Sequence, residues 1–394
     1  MDPGHDETIA LERAAAPVQA TPVPDDEREA LDDPAEGTGL CLSGGGYRAM
    51  LFHLGALWRL NELGQLRHVA RISSVSGGSI TSGVLALAWK ELAFDDSDCA
   101  TNFVPKVVEP VRRLARETID FGSITRGTLL PGSVGKRVVS AYDRHLFSGK
   151  TLRALPDTPR FVFNATSLQS GALVRISKPY LWDYRVGKVP NPEIGVAVAV
   201  AASSAFPPFL SPVEVELDEG TFEPGSGTDL ATREYQRKLQ LSDGGVYDNL
   251  GLETVWKNFK TVLVSDGGGK LRPDPKPAHD WLRQFRRVFD VDDNQVRSLR
   301  KRQVIDGFRA KLRAGSYWGI RTNIDDYELA DSLNCPFHAT TALANEPTRL
   351  GKLDGRTQER LINWGYGVCD TAMRKHVLRD VPRPEAFPYK GGVG

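Results

Sequence analysis

The chain has 394 residues, enough for one large domain or two modest ones with an ample core. Its 50 basic and 50 acidic residues cancel, which excludes bulk attraction to nucleic acid or to an anionic membrane. Four cysteines (Cys41, Cys99, Cys335, Cys369) are widely spread without a C-x-x-C pair, which argues against a disulfide scaffold or a zinc site and for a reducing compartment. No apolar run approaches the roughly 18 residues of a membrane span, and no signal peptide is visible, so the expectation is a soluble cytoplasmic protein.

Residues 1 to about 36 are rich in Ala, Pro, Asp and Glu and cannot bury enough apolar surface to offset ordering, so they read as a disordered tail. Residues 37–394 read as one domain, with the informative motifs in 38–270 and a helical extension over 281–394. Gly39 to Leu42 is a short apolar run that stops at Ser43-Gly44-Gly45-Gly46 and restarts as a helix from Tyr47 to Leu63, with Met50, Leu51, Leu54, Leu57 and Leu60 at three- and four-residue spacing. The pattern repeats at Ile72-Ser73-Ser74-Val75-Ser76-Gly77-Gly78, followed by a helix from Ser79 to Leu92. Strand, turn, helix, strand, turn, helix makes a βαβα unit with parallel neighbouring strands and both turns at the carboxyl edge of the sheet, where ligands bind.

Further on, Val104 to His145 reads as mostly helical, interrupted around Gly122 to Gly135. Phe161 to Ser167 and Ala172 to Ile176 read as a hairpin, and Ile194 to Ser204 as a small-residue helix ended by Phe206-Pro207-Pro208. Pro212 to Leu217 is an expected strand and Asp218 to Arg233 a surface excursion. Leu239 to Ser242 is a strand running into the turn Asp243-Gly244-Gly245. A helix from Leu252 to Phe259 precedes a buried strand, Thr261 to Ser265, that ends at Asp266. Trp281 to Arg313 is a basic helical region with ten Lys/Arg against four Asp, a candidate for contact with anionic head groups. Tyr317 to Thr322 reads as an outer strand and Arg356 to Leu378 as a closing helix. Strands alternating with helices imply an α/β sandwich around a mainly parallel sheet.

Three turns carry chemistry. Ser74-Val75-Ser76-Gly77-Gly78 has the form of a nucleophile elbow, G-x-S-x-G with Ser74 in the first glycine position, since a sharp strand-to-helix turn needs small flanking residues. Gly44, Gly45 and Gly46, opening a helix, offer backbone N–H groups to a developing oxyanion. Arg48 in the first turn opposes the helix macrodipole, which suits a bound anion or a salt bridge to a neighbouring loop. The same stretch fits G-x-G-x-x-A, but the second strand ends in Ser76-Gly77-Gly78 rather than in the acid a ribose would need, so a dinucleotide reading ranks behind. A serine nucleophile needs a base. Asp243 ends a strand in a Gly turn and could take the proton directly if burial raised its pKa. Asp266 is a decoy in the same setting, and His279, His338 and His376 sit in no recognisable turn.

With these motifs in this order, the chain resembles the patatin-like phospholipases, defined by a G-G-G-x-R loop, a G-x-S-x-G elbow and a D-G-[GA] aspartate. Gly44-Gly45-Gly46-Tyr47-Arg48, Ser74-Val75-Ser76-Gly77-Gly78 and Asp243-Gly244-Gly245 match, and Ala202-Ser203-Ser204-Ala205-Phe206-Pro207-Pro208 is similar to the family's A-S-x-A-x-P-P segment. The resemblance implies a three-layer α/β/α fold and a dyad with Ser76 as nucleophile and Asp243 as proton acceptor. It further implies an oxyanion hole at Gly44 to Gly46, with Arg48 binding phosphate or supporting that loop. The implied substrates are phospholipids or lysophospholipids, with peripheral membrane contact, no nucleic acid, no metal and no cofactor. Two other contexts are a nucleotide-activated membrane-degrading effector of antiviral defence and a non-catalytic relative that acts as a binding protein.

Overall fold

In the computed structural model, which describes residues 34–119, 133–208 and 210–394, β1 (Ala35–Leu42) ends in the buried Gly turn and α1 (Gly46–Glu62) follows. β2 (Val69–Ser74) then leads into α2 (Gly77–Ala88). β1 and β2 pair in parallel with Leu42 beside Ser74, so the expected βαβα unit forms. The expected tail falls almost wholly outside the described residues, and β1 starts at Ala35, inside its end. The interruption expected at 122–135 also lies largely outside them. Helical turns flank it, among them α3 (Glu109–Leu114) and α4 (Ser133–Tyr142).

The sheet is mixed. The strands in the order β10 (Ala314–Gly319), β9 (Phe259–Asp266), β1, β2 and β3 (Arg160–Ser167) are all parallel. Beyond β3 the pairing is antiparallel through β4 (Leu173–Ser177), β5 (Tyr180–Asp183) and β6 (Gly187–Pro190). The expected hairpin is β3–β4. The four-residue strands β5 and β6 are too short to show a period in sequence, which is why they were not expected. β7 (Val213–Glu216) pairs with β8 (Lys238–Asp243), and β8 pairs antiparallel with the far end of β3.

Alternation along the central strands divides two helical layers. Leu40 and Leu42 of β1 and Leu263 of β9 join the large core under α1. Cys41, Val262 and Val264 point the other way, to Leu252, Val255 and Val304. The second layer comprises a short helix, Glu253–Trp256, and the last turns of α6 (Trp281–Arg309); α5 (Val196–Ser203) belongs to the first. α1 is buried on nearly all sides because α8 (Gly355–His376) crosses it. The two backbones touch through glycines: a Cβ on Gly55 would stand 1.9 Å from Ile362 O, and one on Gly365 1.8 Å from Phe52 O. α7 (Phe337–Ala344) lies within the expected helical extension, which gave it no bounds of its own. Among the described residues no helix is long and apolar enough to cross a membrane.

Candidate active site

The topology brings two strand ends together. β2 occupies one edge of β3 and stops with Ser74 opposite Phe163; β8 comes from the opposite direction along the same edge and stops with Asp243 opposite Ala165. The turns after β2 and β8 therefore emerge side by side.

Ser76 sits in the first of these turns at φ 52, ψ −120, a conformation that non-glycine residues rarely hold. Its N–H donates to Ser203 O at 3.0 Å, at the end of α5, which fixes the elbow from behind. Ser74, where a glycine was expected, is accommodated because its hydroxyl is used: it donates to Val162 O at 3.2 Å and accepts from Ser79 Oγ at 3.0 Å. Gly77 has to be glycine, since a Cβ there would stand 2.1 Å from Gly46 O. The elbow and the Gly loop thus touch backbone to backbone.

In that loop the donors separate. Gly44 N–H donates to Asn249 O at 3.0 Å and Tyr47 N–H to Arg349 O at 3.0 Å. Gly45 (φ 149) and Gly46 (φ 61) have no acceptor for their N–H groups among the described residues. The expectation of three donors therefore reduces to two: Gly44 is committed to the fold, and its part is to anchor the loop to the Asp243 turn.

Asp243 is 2 % exposed. Burial pushes its carboxyl up to about 7, against hydrogen bonds from Gly245 N–H and the Ser76 side chain that favour the charged form. Oδ1 accepts from Gly245 N–H at 2.7 Å, and its carbonyl accepts from Thr166 Oγ1 at 2.9 Å. Gly244 donates its N–H to Ser203 O at 3.3 Å, so Ser203 O ties both turns.

Asp266 has the opposite character. Burial would raise its pKa, but Lys301 at 2.6 Å, Tyr317 Oη at 2.7 Å and Gly268 N–H at 2.8 Å hold it well below the carboxylate range. It pins the end of β9 to α6 and to β10. A depressed folded pKa means stability that is present above the unfolded value near 3.8 and lost as pH falls below it. Asp266→Asn should cost about 2 kcal/mol, discounted because Lys301 is partly exposed. Urea denaturation at pH 7 checks this, with turnover per folded molecule changed far less than stability.

Arg48 is 3 % exposed and its guanidinium is already occupied, donating to Gly267 O at 3.1 Å and to Glu346 O at 2.5 Å. Burial, with Arg321 and Arg297 nearby, pushes its pKa down to about 10, so it stays charged. Of the two roles expected, the contacts match loop support: Arg48 ties the start of α1 to the turn after β9 and to the 344–350 segment. Arg48→Lys keeps the charge but not the planar fork. It should lower kcat about tenfold, with KM for a short ester little changed; steady-state kinetics on folded protein decide it.

His279, His338 and His376 are exposed and line no part of the cavity described below. His53, which the sequence did not single out, is fully buried and neutral, its pKa pushed by burial down to about 4. Its Nε2 donates to Ser43 O at 2.9 Å and its Nδ1 accepts from Ser265 Oγ at 2.8 Å, so it braces the Gly loop from behind.

Ser76, Asp243 and Gly44 to Gly46 open into one cavity of about 640 Å³. Its far side consists of parts with no motif: Arg286, Phe289 and Arg297 of α6, Leu271 of the loop before it, and residues 344–350. Phe206, Leu210, Leu271, Phe289 and Leu350 supply apolar wall, and arginines with Lys270 outnumber the acidic groups among the other lining residues. Asn249 also went unnoticed in sequence. Its Nδ2 is buried without a partner and it lines the cavity. Its only signal was its position six residues after Asp243.

A sheet with helices on both faces that carries Ser76, the unpaired loop amides and the buried Asp243 at one edge is an α/β sandwich. A family model for patatin-like phospholipases matches residues 40–256, more than half of the chain, and the chain belongs to that family. No curated protein matches the sequence. Among solved structures, human GIVD cytosolic phospholipase A2 is 15% identical, with 64% of this chain and 51% of that chain covered at a TM-score of 0.37. The same human enzyme with methyl gamma-linolenyl fluorophosphonate gives 14% identity, 88% and 58% coverage and a TM-score of 0.45. VipD from Legionella pneumophila gives 14%, 85% and 66%, and 0.33. The chain thus spans about half to two thirds of these proteins' lengths, and likenesses this distant carry no argument about its chemistry.

Proposed function

We propose that the protein is a lipid acyl hydrolase that cleaves carboxylic esters of glycerophospholipids or lysophospholipids through a Ser76–Asp243 dyad. One observation carries the reading: a serine in a strained elbow shares one cavity with two unpaired loop amides and with a buried carboxyl whose pKa lies near neutrality. Asp243 as carboxylate accepts the Ser76 proton while Oγ bonds to the ester carbonyl carbon. The carbonyl π electrons move to oxygen, where Gly45 and Gly46 N–H groups receive the charge. Collapse expels the alcohol, which takes its proton from Asp243. Water then repeats the sequence on the acyl-serine and releases the fatty acid.

The cavity volume falls within the roughly 300–1,000 Å³ of small-molecule sites. Its apolar wall suits an acyl chain and its arginine-rich lining a phosphate. Such substrates imply action at a membrane surface. Incubation with mixed phospholipids and identification of products by mass spectrometry tests the reading: free fatty acid and the matching lysolipid are expected. A folded protein that binds lipid and releases nothing would favour a binding protein instead.

A further inference from the structure

Among the described residues eleven large apolar side chains are exposed, and seven of them lie on α6: Trp281, Leu282, Phe285, Val288, Val291, Val296 and Leu299. Trp281 is 79% exposed, Phe285 70% and Val288 57%. Trp281, Phe285, Val288, Val296 and Leu299 recur at helical spacing on one side, interrupted by the exposed Asp292. The other side faces inward: Arg286, Arg287, Phe289, Asp290, Asp293 and Arg297 line the cavity that holds Ser76. Only the last turns of α6 are well anchored, with Val304 buried and Gly307 pressed on the Trp256 ring. A helix with one face on the cavity and an apolar face in water has a surface that a monomeric soluble fold does not require.

We infer that the outer face of α6, from Trp281 to Leu299, is the surface by which the protein docks on a lipid bilayer, with the cavity mouth beside the membrane. The inference rests on the lipid reading of the cavity and adds the surface that meets the membrane. The charges are arranged for it. Toward its end, α6 uses its cations within the fold: Arg297 pairs with Asp293 at 3.1 Å, Arg300 with Glu253 at 3.0 Å and Lys301 with Asp266 at 2.6 Å. Arg286 and Arg287 line the cavity with Phe289 and make no ion pair among the described residues, which leaves them for lipid phosphates where the cavity meets the membrane. The sequence pointed to this region through its charge, but much of that charge is internally neutralised. The apolar row therefore supplies the insertion and the two arginines the complement to an anionic surface. Trp281 at the exposed end suits the water–lipid boundary. Continuity with the cavity favours a bilayer over a second copy of the chain, because an ester drawn from the docked membrane enters beside Ser76.

The test uses the full chain carrying Ser76→Ala, so that vesicles stay intact, and co-sedimentation with phosphatidylcholine vesicles containing phosphatidylglycerol. Adding Trp281→Ser, Phe285→Ser and Val288→Ser should lower partitioning at least about tenfold. The same three changes with Ser76 intact should leave hydrolysis of a soluble nitrophenyl ester within about twofold of wild type. Undiminished vesicle binding by the triple variant overturns the inference, as does the absence of binding before the changes are made. A dimer that the triple variant dissociates, without vesicle binding, assigns the face to a second copy and overturns it too. Variant-sensitive vesicle binding by a protein inert on every ester leaves the docking surface standing and removes the catalytic reading alone.

Discussion

Asp243→Asn is expected to fold, to lose activity and to gain stability. The gain would show that the buried carboxylate is held at a cost to the fold. Burial raises the Asp243 carboxyl to about 7, so at neutral pH the folded protein carries a charged group that would rather be protonated. The sign follows from proton counts. Between the unfolded value of 3.8 and about 7 the folded state binds more protons than the unfolded one, so this group makes stability fall as pH rises through that window. A shift of that size corresponds to at most about 4 kcal/mol at saturation. Asparagine removes the charge and can still accept the Gly245 N–H through Oδ1, the contact now 2.7 Å long. The Tm of Asp243→Asn should therefore exceed that of wild type at pH 8, and the difference should shrink toward pH 5.

Activity moves the other way. The proposed base works as a carboxylate, so kcat/KM of the wild type should rise with pH through about 7 and level off above it. Asp243→Asn should lose roughly 10³-fold or more in kcat and lose that pH step, because an amide cannot accept the serine proton. Alanine at His279, His338 or His376 should leave kcat/KM close to wild type, since none lines the cavity. A variant Asp243→Asn that stays active while one of these histidines proves indispensable would replace the dyad with a triad.

Ser76→Ala should abolish covalent labelling by a fluorophosphonate and lower ester turnover by roughly 10⁴-fold or more. The expectation rests on placement. Ser76 is the side chain in the cavity that sits at a strained turn beside free amides and next to the raised carboxyl. Intact-mass spectrometry should find one adduct on wild type and none on Ser76→Ala. Alanine at φ 52 is no less strained than serine, so the fold should lose little, whereas Ser76→Gly should raise Tm by releasing that strain. A Ser76→Gly protein less stable than wild type would show that the elbow is not strained in the way argued.

Much of this was legible in the sequence because local chemistry sufficed for it. The helix after Gly46 is written in its apolar spacing, and the parallel pairing of β1 and β2 follows from strand–helix–strand order alone. The small residues of the elbow and of the Gly loop announce close backbone approach, and Gly77 against Gly46 O is that approach. Other features depend on partners distant in sequence, and only the tertiary structure decided them. The reading placed Asp243 at a strand end, but nothing local tells that β8 runs antiparallel to β3 and meets β2 end to end, so the neighbourhood of Ser76 and Asp243 is a fact of topology. Asp243 and Asp266 share a local pattern and differ through burial without a cation in one case and Lys301 at 2.6 Å in the other. Gly44 was separated from Gly45 and Gly46 by the carbonyl of Asn249, and Arg48 was turned from an open cation into a brace by carbonyls of Gly267 and Glu346. Sequence by itself determined the residue types and turns that the proposed hydrolysis requires. Long-range packing decided which amides stay free, which carboxyl is held near neutral pKa, and which walls close the cavity, because each of these depends on groups brought from elsewhere in the chain.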